Sequence, residues 1–420
     1  MIIYVTRDIE RALGIAPSEH FHIITNRTPY SDVIKLQHPK FITLIDPKND
    51  PKSVATESLR IHALLDTAQL LENSTVIGFI NEQNKKAKNP LGVGILVFKN
   101  TAIIESICNK NSWHLLNPRA DLAEKIENKV TQAEWLGDIG ERYLVPHKIL
   151  ATKNIVWEKK PLVVQWAHGH TGDGTMLINS AAELVEIQQK FPERITRVSE
   201  YINGPSFTLN IVISKDSIFL GNISYQITGL PPFTDNPFST VGNDWSLTHN
   251  LLSEKDVEYI SDIAKEVANK MRNDGWVGMC GIDVIFDNER NKINLIEINA
   301  RQPAGTTYES QLQQRHQKEG IAGSTIFEAY INALSGKEIL MPIIILNDGA
   351  QIIQRMNTNI KTLDDSVTGS LKLSGYETIL YENIETNSDL LRIQSLKGIM
   401  ESHGKFNSRG KEIVEAVEKK

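Results

Sequence analysis

The chain has 420 residues, of which 40% are hydrophobic and 23% charged, the ordinary composition of a globular protein with two or three domains. Its net charge of −6 argues against a large nucleic-acid interface, because proteins that bind phosphate backbones usually carry a basic excess. Cys108 and Cys280 form no metal-ligand pattern, and no apolar run reaches the roughly 18 residues of a membrane span. We therefore expect a cytoplasmic protein without a nucleic-acid or membrane partner.

The first hundred residues alternate apolar runs with helical patterns. Five runs are typical of strands: "MIIYVT", "FHIIT", "FITLID", "STVIGFI" and "GVGILVF". The segment "ESLRIHALLDTAQLLEN" between two of these runs has the pattern of a helix. Strands that alternate with helices predict βαβ units and a parallel sheet.

The middle of the chain combines strands with a glycine-rich loop. "KPLVVQWAHGHTGDGTMLI" predicts a strand, a loop and a second strand, and "SAAELVEIQQKF" predicts a helix capped by Ser180. "ITRVSEYINGPSFTLNIVI" predicts a strand, a bend and another strand. "PPFTDNPFSTVGNDW" is too rich in proline and glycine for a helix and predicts a loop.

The clearest helix is "SEKDVEYISDIAKEVANKMRNDG", with Ser253 as its cap and Gly275 just past its end. Its apolar residues recur at spacings of three and four and form one stripe: Val257, Ile260, Ala264, Val267 and Met271. "GMCGIDVIF" and "KINLIEIN" follow around the polar turn "DNERN", which predicts a hairpin. The tail from about Met341 is rich in strand patterns and ends in the helical "GKEIVEAVEKK".

One face of the second hairpin strand carries an unusual series: Leu295, Glu297, Asn299 and Arg301. If the turn centres near Asn288, Asp283 pairs near Leu295 and lies diagonal to Glu297. Asp283, Glu297 and Asn299 then present oxygens into one space, which suits Mg²⁺ or Mn²⁺. The alternative is a solvated strand face that binds no metal.

The glycine-rich loop "HGHTGDGT" contains Gly169, Gly172 and Gly174. Glycines let the backbone approach an anion and direct N–H groups at it, so the loop is a candidate phosphate site. A flexible hairpin loop explains the same pattern. The Gly-Lys-Ser/Thr ending of a Walker loop is missing.

Taken in this order, the elements from about 140 to 333 resemble the ATP-grasp superfamily of carboxylate–amine ligases. The resemblance implies an α/β (α+β) fold with three parts. An N-terminal βαβ domain, called the pre-ATP-grasp domain, covers 1–139. The ATP-grasp domain covers 140–338, with a lid at roughly 148–213. A strand-rich C-terminal domain covers 339–420.

The resemblance assigns ATP to the lid and to the hinge that follows it. The loop residues implied at the phosphates are His168, Gly169, His170, Thr171, Gly172 and Gly174. The hinge residues Glu200, Tyr201 and Ile202 would bind the adenine edge through backbone groups, and Leu295 would pack on the adenine ring. Asp283, Glu297 and Asn299 would bind the metal. Arg301 and Asn299 would be catalytic, with Arg301 at the acyl phosphate or the transferred phosphoryl group.

Two positions depart from the superfamily pattern. Gln165 stands where a lysine usually contacts the α- and β-phosphates, and Ser206 stands where many members have a glutamate near the ribose. Lys148, which resembles the superfamily's other nucleotide lysine, could supply the missing charge, and so could Lys153, His168 or His170. The loop after the metal strand should line the acceptor pocket, where Gly305, Thr306 and Thr307 are candidates to bind the substrate.

The implied reaction begins when a substrate carboxylate attacks the γ-phosphate of ATP. The acyl phosphate then reacts with an amine, which releases phosphate, and the commonest superfamily use suggests an amino acid or peptide. Two alternatives stay open: a nucleotide-binding protein without ligase turnover, motivated by Gln165 and Ser206, and an ATP-dependent carboxylase that would need a separate biotin carrier. Superfamily members are often dimers, so a homodimer is open as well.

Overall fold

The computed structural model describes residues 1–47, 64–167, 174–383 and 385–419. The N-terminal part is a parallel sheet with strand order β3-β2-β1-β4-β5. Its strands are β1 Ile2–Val5, β2 Phe21–Asn26, β3 Ile42–Ile45, β4 Gly94–Val97 and β5 His114–Leu115. The described helices around it are α1 Pro29–Gln37, α2 Thr67–Glu72, α3 Ser74–Lys86 and α4 Ala102–Lys110, with a 3-10 turn at Ile9–Ala12. The predicted parallel sheet is confirmed.

One predicted strand in this part is wrong. "STVIGFI" is the first half of α3, and the side-chain oxygen of Asn73 caps its start by accepting a hydrogen bond from the amide of Thr75. Val76 and Ile80, four residues apart, are the buried residues of this helix, so the apolar pattern has the helical period. The predicted helix around 57–73 lies partly outside the described residues, and its described end contains α2.

A small antiparallel sheet, the lid sheet, follows three short helices, α5 Ala120–Glu127, α6 Thr131–Leu136 and α7 Asp138–Tyr143. Its order is β6-β9-β7-β8. The strands are β6 His147–Ala151, β7 Leu162–Trp166, β8 Thr175–Ile178 and β9 Ile195–Glu200. A 3-10 turn at Thr152–Asn154 and α8 Ala181–Lys190 pack beside it. The Ser180 hydroxyl accepts the amide of Glu183 at 3.2 Å, so the predicted cap of α8 is confirmed.

The largest sheet has nine strands in the order β15-β14-β10-β12-β13-β16-β18-β17, with β11 paired to β10. The strands up to the hairpin are β10 Ser206–Ile213, β11 Ile218–Leu220, β12 Ser224–Thr228, β13 Thr240–Asp244, β14 Gly278–Asp287 and β15 Lys292–Asn299. The C-terminal segment supplies β16 Ala350–Arg355, β17 Glu377–Leu380 and β18 Asp389–Ser395. The C-terminal strands therefore extend the central sheet, and the domain boundary near 339 stays a prediction.

Helices cover this sheet and connect it to the other parts. They are α9 Trp245–Leu251, α10 Glu254–Asn273, α11 Thr306–Lys318, α12 Ile326–Leu334, α13 Asp365–Leu373 and α14 Ser408–Glu418, and a ribbon of β19 Met400–Ser402 and β20 Lys405–Phe406 precedes α14. The predicted helix α10 is confirmed with its Ser253 cap, and its predicted stripe is buried except for Val257, which is 39% exposed. None of the described helices has the length and apolar character needed to cross a bilayer.

Two predicted loops contain regular structure. The end of "PPFTDNPFSTVGNDW" forms β13, because its backbone pairs with both β12 and β16 inside the large sheet. The segment after β15 was expected to be a loop, but its second half begins α11 at Thr306. In both cases tertiary pairing or packing outweighs the local turn signals.

Gly204 lies in the hinge between the lid sheet and the large sheet. A Cβ on this residue would lie 1.9 Å from the carbonyl oxygen of Phe286, far inside van der Waals contact. We expect Gly204→Ala to lower the free energy of unfolding by roughly 1–3 kcal/mol, because the hinge must move away from the hairpin. Chemical unfolding of the full chain measures the change.

Gly369 in α13 provides the matched control. No atom lies within 4 Å of the position that its Cβ would take, and it is a helix-interior glycine. Gly369→Ala should therefore stabilise the protein by about 0.5–1 kcal/mol. Equal effects of the two substitutions would contradict the close contact at Gly204.

Candidate active site

A cavity of about 780 Å³ lies where the lid sheet, the hairpin β14–β15 and the N-terminal part meet. The residues predicted on the hairpin face line it: Asp283, Leu295, Glu297, Asn299 and Arg301. Its volume lies within the range of natural small-molecule sites. The structure therefore brings the hairpin face into one cleft.

The register of the hairpin differs from the predicted one. Asp283 pairs directly with Glu297, whereas Val284 pairs with Leu295, so Ile296 is an extra residue in a β-bulge. A bulge inserts one residue on one strand and redirects the neighbouring side chains. The expected diagonal contact is thus a direct cross-strand pair of two carboxylates.

Asp283 is a buried carboxylate held by neutral donors. The Thr208 hydroxyl donates to its Oδ1 at 2.7 Å, and Nδ2 of Asn299 donates to its Oδ2 at 3.1 Å. Burial first, and then the charge of Glu297, raise the pKa of Asp283 to about 7. None of the described residues forms an ion pair with Asp283. The carboxylate is therefore short of positive charge.

Glu297 lies next to Asp283 but has a cationic partner. The ammonium of Lys129 lies 2.7 Å from its Oε2. Burial raises the pKa of Glu297, but Lys129, Arg301 and Arg197 outweigh burial and lower it to about 2. Among the described residues, Glu297 thus has a cationic partner, whereas Asp283 has only neutral hydrogen-bond donors.

This donor set fits a divalent cation. Two carboxylates in direct cross-strand register repel each other unless a cation lies between them, and hard oxygen ligands suit Mg²⁺. Asn299 contacts Asp283 through its amide nitrogen, so its oxygen is not engaged by that bond. The described residues contain no cluster of three or more histidine, cysteine, aspartate or glutamate side chains that could hold a metal. The candidate is therefore the set of two carboxylates and one amide, Asp283, Glu297 and Asn299.

Arg301 lies at the other end of the hairpin face. It forms an ion pair with Glu127, and Lys99 binds the second oxygen of the same carboxylate. Burial raises the pKa of Glu127, but Arg301 and Lys99 outweigh burial and hold the pKa below its ordinary value. All three residues line the cavity. Glu127 therefore holds two cations beside the metal candidates.

Gln165 faces Arg197 across the lid sheet, where the two residues are directly paired. The Gln165 Oε1 accepts from Nε and Nη2 of Arg197 at 3.0 and 2.6 Å. Nη2 also donates to the carbonyl of Ile296 in the bulge at 2.8 Å. Both side chains are buried and line the cavity. Arg197 thus connects the lid sheet with the metal-candidate strand.

The hinge residues Glu200, Tyr201 and Ile202 line the same cavity, as does Ser206. Arg290, in the hairpin turn, donates to the Glu200 carboxylate at 2.7 Å, so this side chain already has a partner. Leu295 is fully buried and lines the cavity beside Leu144. Leu144, Ile202 and Leu295 are the apolar residues of this part of the cavity wall.

The lysines predicted to replace the missing charge lie elsewhere. Lys148 is exposed and pairs with Glu158, and Lys153 pairs with Glu193 on the outer side of the lid. Neither lines the described cavity. The predicted loop residues His168, Gly169, His170, Thr171 and Gly172 lie outside the described residues, whereas Gly174 is buried at the start of β8.

The predicted substrate residues divide into two groups. Gly305 lines the cavity. Thr306 and Thr307 begin α11, and their hydroxyl groups donate to the Met279 sulfur and to the carbonyl of Arg11, at 3.3 and 3.2 Å. Only Gly305 of the three therefore faces the candidate site.

Residues 126–305 match the family model of an ATP-grasp domain. The chain contains an ATP-grasp domain. The match begins at α5 and ends at Gly305, so it includes the lid sheet, the hinge and the hairpin. No curated protein sequence matches the chain significantly.

Solved structures resemble the chain over nearly its whole length. A carboxyaminoimidazole ribonucleotide synthase from Aspergillus clavatus, complexed with ATP, has a TM-score of 0.64 at 13% identity, over 99% of this chain and 98% of that one. The N5-carboxyaminoimidazole synthetase of Staphylococcus aureus with ADP gives 0.63 at 12% identity, over 99% and 97%. The biotin carboxylase domain dimer of Hydrogenobacter thermophilus 2-oxoglutarate carboxylase, with MgADP, ADP and bicarbonate, gives 0.61 at 12% identity, over 94% and 86%. The predicted ATP-grasp fold is confirmed.

Four charged residues of the candidate site had not been singled out from the sequence: Lys99, Glu127, Lys129 and Arg197. The first three lie before the lid and reach the cavity only through tertiary packing. Arg197 had a local signal, because an arginine inside the strand pattern "ITRVSE" needs a polar partner when the strand is buried. Gln165 in "LVVQW" is that partner.

Proposed function

We propose that the protein is an ATP-dependent, ADP-forming ligase that activates a carboxylate as an acyl phosphate and joins it to an amine. The observation that carries the proposal is the order of groups along the cavity. Apolar Leu295 comes first along β15, the carboxylate pair Asp283 and Glu297 follows, and Arg301 lies just past the end of the strand; all four line the cavity. This order matches the base, the metal-bound phosphates and the transferred phosphoryl group of ATP.

The metal would be held by Asp283 and Glu297, with Asn299 as a third oxygen donor. Mg²⁺, or Mn²⁺, supplies charge neutralisation at the phosphates of a bound nucleotide. The buried carboxylate of Asp283, which has no cationic partner among the described residues, supports this assignment. Lys129 lowers the pKa of Glu297, so this carboxylate is ionised at neutral pH.

In the first step, an oxygen of the substrate carboxylate attacks the γ-phosphorus, and the bond from that phosphorus to the bridging oxygen of ADP breaks. In the second, the amine nitrogen attacks the acyl carbon, phosphate leaves, and the amine proton passes to solvent. Arg301 and Lys99 hold positive charge where the transferred group carries negative charge. Phosphoryl transfer depends mainly on such positioning and neutralisation, so no protein nucleophile is required.

The carboxylate substrate has two candidates. An amino acid or peptide would be joined to an amine, in accord with the ligases that the chain resembles. Bicarbonate is the second candidate, because the chain shares its fold almost end to end with carboxyaminoimidazole ribonucleotide synthases and with a biotin carboxylase domain that binds bicarbonate. A homodimer stays a prediction for this chain, and the biotin carboxylase domain is itself a dimer.

The decisive test measures ADP release by the full chain with Mg-ATP across a panel of amino acids, dipeptides, other small carboxylates and bicarbonate, each with and without an amine. We expect one carboxylate to stimulate ADP release, and hydroxylamine in place of the amine to trap the acyl phosphate as a hydroxamate. Stimulation by bicarbonate alone would establish the carboxylase alternative. Nucleotide binding without stimulated ADP release by any member of the panel would sink the ligase proposal.

A further inference from the structure

We propose that Arg197 is the cation that binds the nucleotide phosphates in this protein, and that Gln165 holds Arg197 in place instead of contacting the phosphates itself. The inference rests on the proposed nucleotide site and names a residue for it. Arg197 lies on β9, between the lid sheet and the bulge of β15, on the wall of the cavity.

The first support is the state of the Arg197 guanidinium. Two of its nitrogens, Nε and Nη2, donate to Gln165 and to the carbonyl of Ile296. The third, Nη1, is buried and has no hydrogen-bond partner among the described residues. A buried donor without a partner costs free energy unless a ligand satisfies it, and an arginine fork suits phosphate oxygens.

The second support is the absence of an ionic partner. Within the described part of the chain, Arg197 forms no ion pair, although only 4% of the residue is exposed. Its contacts on the protein side are an amide oxygen and a main-chain carbonyl, both neutral. By contrast, Lys99, Lys129 and Arg301 each pair with a carboxylate. Arg197 interacts with the charge of Glu297 at longer range but forms no direct ion pair with it among the described residues, so its guanidinium can still bind an anion.

The third support is position. Arg197 reaches the residue next to Glu297, a metal candidate, and it is directly opposite Gln165, the last but one residue of β7. The carbonyl of Gly174, just before β8, accepts a hydrogen bond from the amide of Trp166 at the end of β7, at 3.0 Å. The guanidinium thus lies between this end of the lid sheet and the metal candidates, where the phosphates of the proposed nucleotide belong.

The cross-strand pairing allows a swap experiment on the full-length protein. Side chains directly opposite each other in an antiparallel sheet are about 5 Å apart at Cβ, so a cation placed at position 165 instead of 197 is moved only a short distance. We compare the wild type with Arg197→Gln, Arg197→Lys and the double variant Gln165→Lys/Arg197→Gln. Calorimetry measures the affinities for MgADP and for adenosine, which has the same base and ribose but no phosphate.

Arg197→Gln should weaken MgADP binding about 10- to 100-fold, the effect of losing one charge-assisted contact, while adenosine binding stays within about twofold. Arg197→Lys keeps the charge and should lose less than Arg197→Gln. The double variant should recover most of the lost MgADP affinity. The control Arg194→Gln removes an exposed arginine that directly precedes β9. Arg194 packs on Trp166 and Phe191, and its replacement should leave both affinities unchanged.

Three results would overturn the assignment. They are unchanged MgADP affinity in Arg197→Gln, equal loss of MgADP and adenosine binding, which indicates a purely structural role, and equal losses in Arg197→Lys and Arg197→Gln. These outcomes are distinct from failure of the proposed function, because a wild-type protein that binds neither MgADP nor adenosine would refute the nucleotide site as a whole.

Discussion

Asp283→Asn is expected to reduce carboxylate-stimulated ADP release at least about 10³-fold while the free energy of unfolding of the metal-free protein stays the same or increases. The substitution keeps the shape of the side chain and its bond from the Thr208 hydroxyl. It removes the negative charge that the proposed metal needs. It also ends the repulsion between two buried carboxylates that pair directly across β14 and β15.

Activity and stability are measured on the same preparation, by ADP release at saturating Mg-ATP and by urea unfolding in the presence of a chelator. A site that binds a cation is strained without it, so loss of activity together with unchanged or greater stability identifies a functional carboxylate. Wild-type activity in Asp283→Asn would remove Asp283 from the metal site.

Asp287→Asn is the matched control on the same strand. Asp287 lies four residues along β14, binds Arg290 at 2.8 Å and accepts the amide of Glu289 at 3.0 Å in the hairpin turn. It does not line the cavity. We expect the opposite result from this control, with ADP release retained and the free energy of unfolding lowered, because the side chain loses its charge-assisted bond with Arg290.

Arg301→Met is expected to lower kcat about 10²- to 10³-fold with little change in the affinity for ADP. Arg301 follows the metal candidates along the hairpin strand, two residues after Asn299 and six after apolar Leu295, and it lines the cavity. A cation placed there acts on charge that develops during phosphoryl transfer, not on the bound nucleotide. Glu127 retains Lys99 as a partner, so the substitution does not leave a buried carboxylate unpaired.

Steady-state kinetics separates kcat from KM, and calorimetry with MgADP measures the affinity. Arg301→Lys keeps the charge but not the planar fork, so we expect an intermediate kcat. Arg272→Met, on α10 and bonded to Asn269, is the control for removing an arginine and should leave kcat unchanged. A loss of ADP affinity as large as the loss in kcat would contradict a role confined to the transferred group.

The elements with strong local signals were predictable. Helix α10 follows from its apolar stripe and its Ser253 cap, and the hairpin follows from two apolar strands around a polar turn. The alternation of side chains along β15 predicted that Glu297 and Asn299 share one face, and both line the cavity. The error at α3 has a local cause as well, because a short apolar run such as "VIGFI" fits a strand and a buried helix equally.

The site depended on contacts that no local pattern specifies. The bulge at Ile296 changes which residue of β15 faces Asp283 and directs a carbonyl to Arg197. Lys129 and Glu127 belong to the end of α5 and its connection, and only packing against β15 brings them to Glu297 and Arg301. The predicted replacement cations Lys148 and Lys153 point outward, because the outer side of the lid offers them Glu158 and Glu193.

The sequence by itself determined the order of elements and the chemistry of the hairpin face, since alternation within a strand and caps at helix ends act over a few residues. The tertiary structure decided the partners of each charge. Among the described residues, Asp283 has no cationic partner, Glu297 pairs with Lys129, and Arg197 contacts Gln165 with one guanidinium nitrogen unpaired. Charge pairing depends on distances between segments far apart in the chain, and only the packed sheets set those distances.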